Sequence, residues 1–262
     1  MIIKALIFDL DGVIYLGRTV VPGAAEAIAY ARKKGIGTYF LTNSGTRSRA
    51  GRVEKLKGFG ISAKESEIYT SSYLTAKYIT THYTEKGKKP KVFCIGERGT
   101  CEELEKAGID IVQDSNANIV TVGLERAITY DKFTAAFRAL INGADFIARN
   151  VDPAFPVEDG LKPGAGAFVK FLEYSSGKAP IVIGKPNTYG IETIIQEHKL
   201  KKDEVAIVGD RLDSDIEVGK KAGIHTILVL SGVTKKKDLE KLSKKEMPDK
   251  VIESIAELNK LL

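Results

Sequence analysis

The chain has 262 residues, 43% of them hydrophobic and 28% charged, with 40 Lys and Arg against 34 Asp and Glu for a formal net charge of +6. That profile is one of a folded globular chain and excludes wholesale disorder, collagen-like repetition and low-complexity scaffolding. At ~150 residues per domain the length suits two domains, no apolar stretch approaches the ~20 residues that cross a bilayer, and a cytoplasmic protein without membrane partners is expected.

Short apolar runs alternate with amphipathic stretches of helical period, a βαβ rhythm. Residues 5–8 read as a buried strand, 23–33 as a helix, 37–41 as the next strand, and 47–57 as a helix ending at Gly58. A third strand at 68–70 follows, with Ser72 capping a helix that runs to about Tyr83. The charged, Gly- and Pro-containing stretch 85–90 marks a linker. Beyond it come strands at 92–95, 119–122 and 146–148 and helices at 100–107, 130–142 and 167–174, until 175–180 breaks the rhythm again. The last part supplies strands at 181–183, 205–208 and 226–230 and helices at 188–198 and 215–222. The expected organisation is a discontinuous core, 1–82 with 179–262, and an inserted domain at 83–178.

Several chemistries lack their residues. Cys94 and Cys101 have neither CxxC spacing nor a disulfide framework and read as reduced thiols. His82, His198 and His225 stand far apart, and there is no HExxH helix or GxSxG elbow. Gly184-Lys185 is followed by Pro186, not Ser or Thr, so it is not a nucleotide-binding P-loop.

Carboxylates gather at strand ends. Asp9-Leu10-Asp11-Gly12 follows the first strand, and alternation along an extended backbone lets Asp9 and Asp11 face one side at its C-terminal edge, the edge where parallel α/β sheets bind ligands. Two unit charges 4 Å apart repel by roughly 4 kcal/mol at an effective dielectric near 20, so either a divalent cation or a shared proton must relieve them. Alone, the motif is also consistent with a solvated acidic turn. A second cluster, Asp210, Asp213 and Asp215, follows the strand 205–208, and two such groups make a Mg²⁺ site the better reading. Thr42-Asn43-Ser44-Gly45, between a strand and a helix, offers hydroxyls, an amide and backbone N–H groups to an anion. Lys185 follows another apolar run and adds positive charge.

Four pieces therefore stand in order: DLDG at 9–12, TNS at 42–44, GKP at 184–186 and GDRLDSD at 209–215. The set resembles the haloacid dehalogenase (HAD) superfamily of phosphatases. The place of the insertion, with RNVD at 149–152 and GLKPGAG at 160–166 inside it, resembles subfamily IIA, the branch of NagD-type and p-nitrophenyl phosphatases. The resemblance implies an α/β fold: a Rossmann-like parallel-sheet core carrying an inserted α/β cap of the C2 type. It implies Asp9 as nucleophile forming an aspartyl-phosphate and Asp11 as general acid and base. It also implies Mg²⁺ held by Asp9, the Asp11 main chain and Asp210, with Asp213 and Asp215 behind them. Thr42, Asn43, Ser44 and Lys185 would bind the phosphate. Arg149, Asn150 and Asp152 are candidates for reaching the substrate or the domain interface, with plain cap structure the alternative. The implied partner is a small phosphorylated metabolite such as a sugar phosphate, nucleotide or phosphoglycolate, and a homodimer through the cap is compatible with the resemblance.

Three other readings compete. A phosphometabolite-binding protein without turnover would need a damaged catalytic set, and a phosphotransferase would share the aspartyl-phosphate step. Nucleic-acid binding, suggested by the lysines at 235–237, 241, 244 and 245, is opposed by the interleaved Asp238, Glu240 and Glu246.

Overall fold

The structure is a computed structural model that describes residues 3–157 and 160–262. Contacts divide it into two units, one of residues 1–42, 53–69 and 185–262 and the other of 43–52 and 70–184.

The first unit is built on a six-stranded sheet in the order Lys250–Ile252, His225–Val229, Val205–Gly209, Ala5–Phe8, Gly37–Thr42, Ile68–Thr70. Ala5–Phe8 lies at its middle, parallel to Val205–Gly209 on one side and Gly37–Thr42 on the other. Ala5, Leu6, Ile7, Phe8 and Val205 through Val208 are fully buried, the mark of parallel strands covered on both faces. The helix Ala24–Lys33 buries Ala24, Ala27, Ile28 and Ala31, a single stripe at i, i+3, i+4 and i+7. Because Ala5–Phe8 and Val205–Gly209 are neighbours in register, the acidic segments that follow them leave the sheet side by side.

The second unit has a five-stranded parallel sheet, ordered Ile181–Val182, Asp145–Ala148, Ile119–Val122, Lys91–Ile95, Asp110–Val112. The helices Tyr130–Ile141 and Ala165–Ser176 cover it, burying Ala136, Ala139, Leu140, Val169 and Leu172.

Several elements differ from expectation. Residues 181–183 were expected in the core, but Ile181 and Val182 pair with Ile147 and Ala148, and Ile183 and Gly184 continue that ladder by donating to the carbonyls of Ala148 and Arg149 at 2.9 Å each. The helix Ser71–His82, placed before the expected boundary at 82, groups with the second unit. Ser72 there hydrogen-bonds Thr100 at 2.9 Å, and Tyr83 just beyond it donates to Asp145 at 2.6 Å. The two-residue strands Tyr15–Leu16 and Thr19–Val20 are too short to show periodicity. The helix expected from Asp215 starts instead as a π-helical turn, Leu212–Ile216, before Glu217–Ala222. Among the described residues no helix is long and apolar enough to cross a membrane.

Candidate active site

The first unit carries a buried charged cluster. Asp9 follows the central strand, Asp210 and Asp215 follow its neighbour, and a carboxylate oxygen from each lies within 4.8 Å of the others. Lys185 reaches the same place: its Nζ donates to Asp9 Oδ1 at 2.6 Å, to Asp215 Oδ1 at 2.5 Å and to the Leu41 carbonyl at 3.2 Å. All four side chains are buried.

The surrounding backbone fixes the two later aspartates. Asp215 Oδ2 accepts from the N–H groups of Asp210 and Arg211 at 3.2 and 3.1 Å, which ties back the π-helical turn. Asp210 Oδ2 accepts from Val233 N at 2.7 Å, and Thr234 N donates to the Asp210 carbonyl at 3.1 Å. Asp210 Oδ1 is buried without a hydrogen-bond partner among the described residues. Gly12, with φ of 91°, lets the DLDG turn lie directly against the Asp210 carboxylate, where a Cβ would collide with it. Ser231 Oγ donates to the Gly12 carbonyl at 2.9 Å and closes the ring.

Three carboxylates thus face one ammonium. Burial pushes the Asp9 carboxyl well above the ordinary range, Lys185 pulls it down, and Asp215 and Asp210 push it up again. Asp210 is raised to about 7, chiefly by burial and then by Asp215. Burial disfavours the Lys185 ammonium, yet Asp215 and Asp9 outweigh it and hold its pKa above the usual lysine value. The Asp9 and Asp210 carboxyls and the Lys185 amine are all shifted toward holding protons, the carboxyls by burial first, and neighbouring carboxylates push every one of the three the same way, as surplus negative charge does. Hard oxygen donors, that surplus and the unpartnered Asp210 oxygen all fit a small divalent cation such as Mg²⁺.

The other residues singled out from sequence fall in different places. Asp11 is exposed just past the strand, where its backbone forms a bridge to Tyr15. Thr42 is buried at the end of its strand, one residue beyond the carbonyl that Lys185 engages. Asp213, expected behind the metal, points away: 67% of its side chain is exposed, and it pairs with Arg211 at 2.8 Å. Alternation in the turn sends Asp213 outward and Asp215 inward.

Asn43 and Ser44 belong to the second unit with the 149–152 segment. Asn43 Nδ2 donates to Asp152 at 3.2 Å, and its carbonyl accepts from Asn150 Nδ2 and Ser71 Oγ at 2.7 Å each. Asn150 and Asp152 therefore brace the TNS loop. Ser44 Oγ accepts from Arg52 at 2.6 Å, a contact sequence reasoning missed, although Arg52 stands one helical turn into the segment expected to be a helix. Arg149, a candidate for touching substrate, is 1% exposed and donates to the Ile95 carbonyl at 2.6 Å, so it is part of the interior. Sequence reasoning also passed over Ser231-Gly232-Val233-Thr234; a Gly-containing turn at a third strand's C-terminal end was the signal available.

Comparison with known proteins agrees with this arrangement. A haloacid dehalogenase-like hydrolase profile matches residues 6–110 and a HAD-hydrolase-like profile matches 182–258. An acid sugar phosphatase from Staphylococcus aureus is 37% identical over 262 residues, with 98% of both chains covered. The chain belongs to the haloacid dehalogenase-like hydrolases. Among solved structures, the p-nitrophenyl phosphatase from Archaeoglobus fulgidus superposes with a TM-score of 0.93 at 35% identity, covering 100% of both chains. NagD from E. coli K-12 gives 0.88 at 33% identity over 98% of each. A glycerol phosphate phosphatase from Mycobacterium tuberculosis, solved in complex with magnesium, gives 0.87 at 27% identity over 97% of this chain and 76% of that one. The protein is thus a HAD phosphatase of subfamily IIA, an α/β enzyme with a Rossmann-like core.

Proposed function

We propose that the protein hydrolyses small phosphate monoesters, sugar phosphates and p-nitrophenyl phosphate among them, in a Mg²⁺-dependent reaction through an aspartyl-phosphate on Asp9. The observation that carries this reading is the buried cluster of Asp9, Asp210, Asp215 and Lys185 with its surplus negative charge. The names of the relatives support the substrate class, and the magnesium-bound relative supports the ion.

Asp9 and Asp210 would hold the ion with the Asp11 main chain, and when bound it supplies charge that offsets the phosphate dianion. Lys185 fixes one oxygen of Asp9 and leaves Oδ2 outside that ion pair to attack phosphorus. The ester P–O bond breaks as the Asp9–phosphorus bond forms, and Asp11, exposed and free of the buried cluster, gives its proton to the departing alkoxide. Asp11 then takes a proton from water, which attacks the phosphorus and releases Asp9 and inorganic phosphate. Charge placed in advance by Lys185 matters because two anions must meet. Thr42, Asn43 and Ser44 are assigned to the phosphate oxygens.

A homodimer through the second unit belongs to the same proposal, supported by Tyr130, Phe171 and Tyr174, exposed on its two sheet-covering helices. Sedimentation at equilibrium should give twice 28.5 kDa, and a monomer at all concentrations would remove this part. The main test measures phosphate release from p-nitrophenyl phosphate and a panel of sugar phosphates, with Mg²⁺ and after EDTA and dialysis. Turnover unaffected by metal removal would overturn the ion, and release from no monoester would overturn the substrate class.

A further inference from the structure

The second unit buries a different charge. Arg149, following the strand Asp145–Ala148, is 1% exposed, and its guanidinium lies so close to Gly96 and Gly123 that a Cβ at either would collide with it. An arginine stays protonated in a protein interior, and a buried charge needs an opposite one. Yet no carboxylate pairs with Arg149 among the described residues. Its hydrogen bonds go to the Ile95 carbonyl at 2.6 Å and to Cys94 Sγ at 3.6 Å. Glu125, which accepts from the Gly96 N–H at 2.6 Å, is paired with Lys132 at 2.8 Å. The group able to become the counter-ion is the Cys94 thiol.

Cys94 has a second sulfur beside it. Cys101 lies in the helix Arg98–Lys106, which follows the strand Lys91–Ile95, and the two thiols hydrogen-bond each other. Cys94 is 6% exposed, whereas Cys101 is half-buried. The Cys101 bond, then Arg149 and Lys132, win over burial and lower Cys94 to about 6, while the same bond pushes Cys101 up. Of the two sulfurs, Cys94 is the one that the Arg149 guanidinium touches, at 3.6 Å, and a cation at that distance favours its thiolate.

We propose that Cys94 and Cys101 form a peroxide-sensitive dithiol that closes to a reversible disulfide within this unit, with Cys94 as the attacking sulfur and Cys101 as the resolving one. The Cys94 thiolate attacks one oxygen of hydrogen peroxide; the O–O bond breaks, hydroxide leaves and takes a proton as water, and Cys94 becomes a sulfenic acid. The Cys101 sulfur then attacks the Cys94 sulfur as its own proton goes to the departing hydroxide, the S–O bond breaks and a second water leaves. Two thiols have lost two electrons, and one peroxide has become two waters. Low exposure restricts Cys94 to small oxidants, and the buried guanidinium keeps it reactive.

The test uses the full-length protein and hydrogen peroxide, and it does not depend on the phosphatase reading. Expected are an intact mass lower by about 2 Da, loss of both titratable thiols, and recovery of both with dithiothreitol. In Cys101→Ser the reaction should stop at a sulfenic acid on Cys94 that dimedone traps, and in Cys94→Ser oxidation of Cys101 should slow by roughly tenfold or more. The reduced wild type should show thiolate absorbance at 240 nm that Cys94→Ser abolishes at pH 7. Both thiols still titrating after peroxide, dimedone on Cys101 ahead of Cys94, or no thiolate absorbance at pH 7 would each overturn the proposal.

Discussion

Each unit buries a basic side chain, and the two do so with opposite imbalance. Around Lys185 there are three carboxylates and an unpartnered oxygen on Asp210; around Arg149 there are two thiols and a carbonyl. The first place is short of positive charge, which a divalent cation would supply. The second is short of negative charge, which a thiol would supply by losing its proton. A buried ionic cluster is therefore informative through its surplus: the sign of the uncompensated charge names the chemistry that will complete it.

The largest effect expected on the first side is that of Asp9→Asn. The amide keeps the shape of the carboxylate and accepts from Lys185 but cannot form the acyl-phosphate, so phosphate release should fall by about 10⁴-fold or more while circular dichroism is unchanged. Turnover within tenfold of wild type would remove Asp9 as nucleophile and leave the cluster a metal site only. Next comes Lys185→Met. It strands Asp9 and Asp215, both paired with the lysine at 2.6 Å or less, and removing one member of a buried pair costs about 3–5 kcal/mol. Urea unfolding of the metal-free protein at pH 8 measures it. Arg149→Met removes a charge with no carboxylate partner among the described residues and should cost less; equal losses would end the distinction between the two places.

The pH dependence of metal-free stability separates them further. Asp210 is raised to about 7 in the fold, so the folded state holds its proton more tightly than the unfolded chain does, and stability is lost as pH rises from the ordinary carboxylate range through 7. Cys94 is lowered to about 6, so its contribution is present above the ordinary thiol range and is lost as pH falls toward 6. A Mg²⁺ ion held by Asp210, as proposed, would compete with its proton. At a hundred times its dissociation constant it should add about 2.7 kcal/mol at pH 8 and much less at pH 5, read as Tm with and without the ion. An equal Mg²⁺ shift at both values would place the ion away from Asp210, and a Cys94→Ser variant with the wild-type slope between pH 6 and 9 would remove the thiolate.

The parallel core and Asp9, Asp210, Asp215 and Lys185 were legible in the sequence because buried strands followed directly by charge are rare and local. The grouping of the chain into units was less so. Ile181-Val182 reads as an apolar strand wherever it pairs, and only the Ile147 and Ala148 register assigns it to the second sheet. Arg149 shows the same limit from the other side. Beside Asn150 and Asp152 it looks like one polar loop, and its burial between Gly96 and Gly123 depends on residues some 25 to 55 positions away that carry no local signal.

The smallest effect divides two aspartates two residues apart. Asp213 and Asp215 lie in one turn, and sequence alone gives them the same standing behind the metal. The structure gives Asp215 a buried lysine and two backbone N–H groups, and gives Asp213 a solvent-exposed pair with Arg211. Exposed pairs are worth about 0–1 kcal/mol, so Asp213→Ala should change stability by less than ~1 kcal/mol and leave kcat/KM within about twofold, whereas Asp215→Ala removes one of the two carboxylates on Lys185 and the acceptor of the 210–211 N–H groups together. Both variants can be compared in one urea titration with p-nitrophenyl phosphate kinetics. A large loss for Asp213→Ala would mean that this carboxylate turns inward when the ion is bound, and the comparison would then have to be drawn on the loaded enzyme.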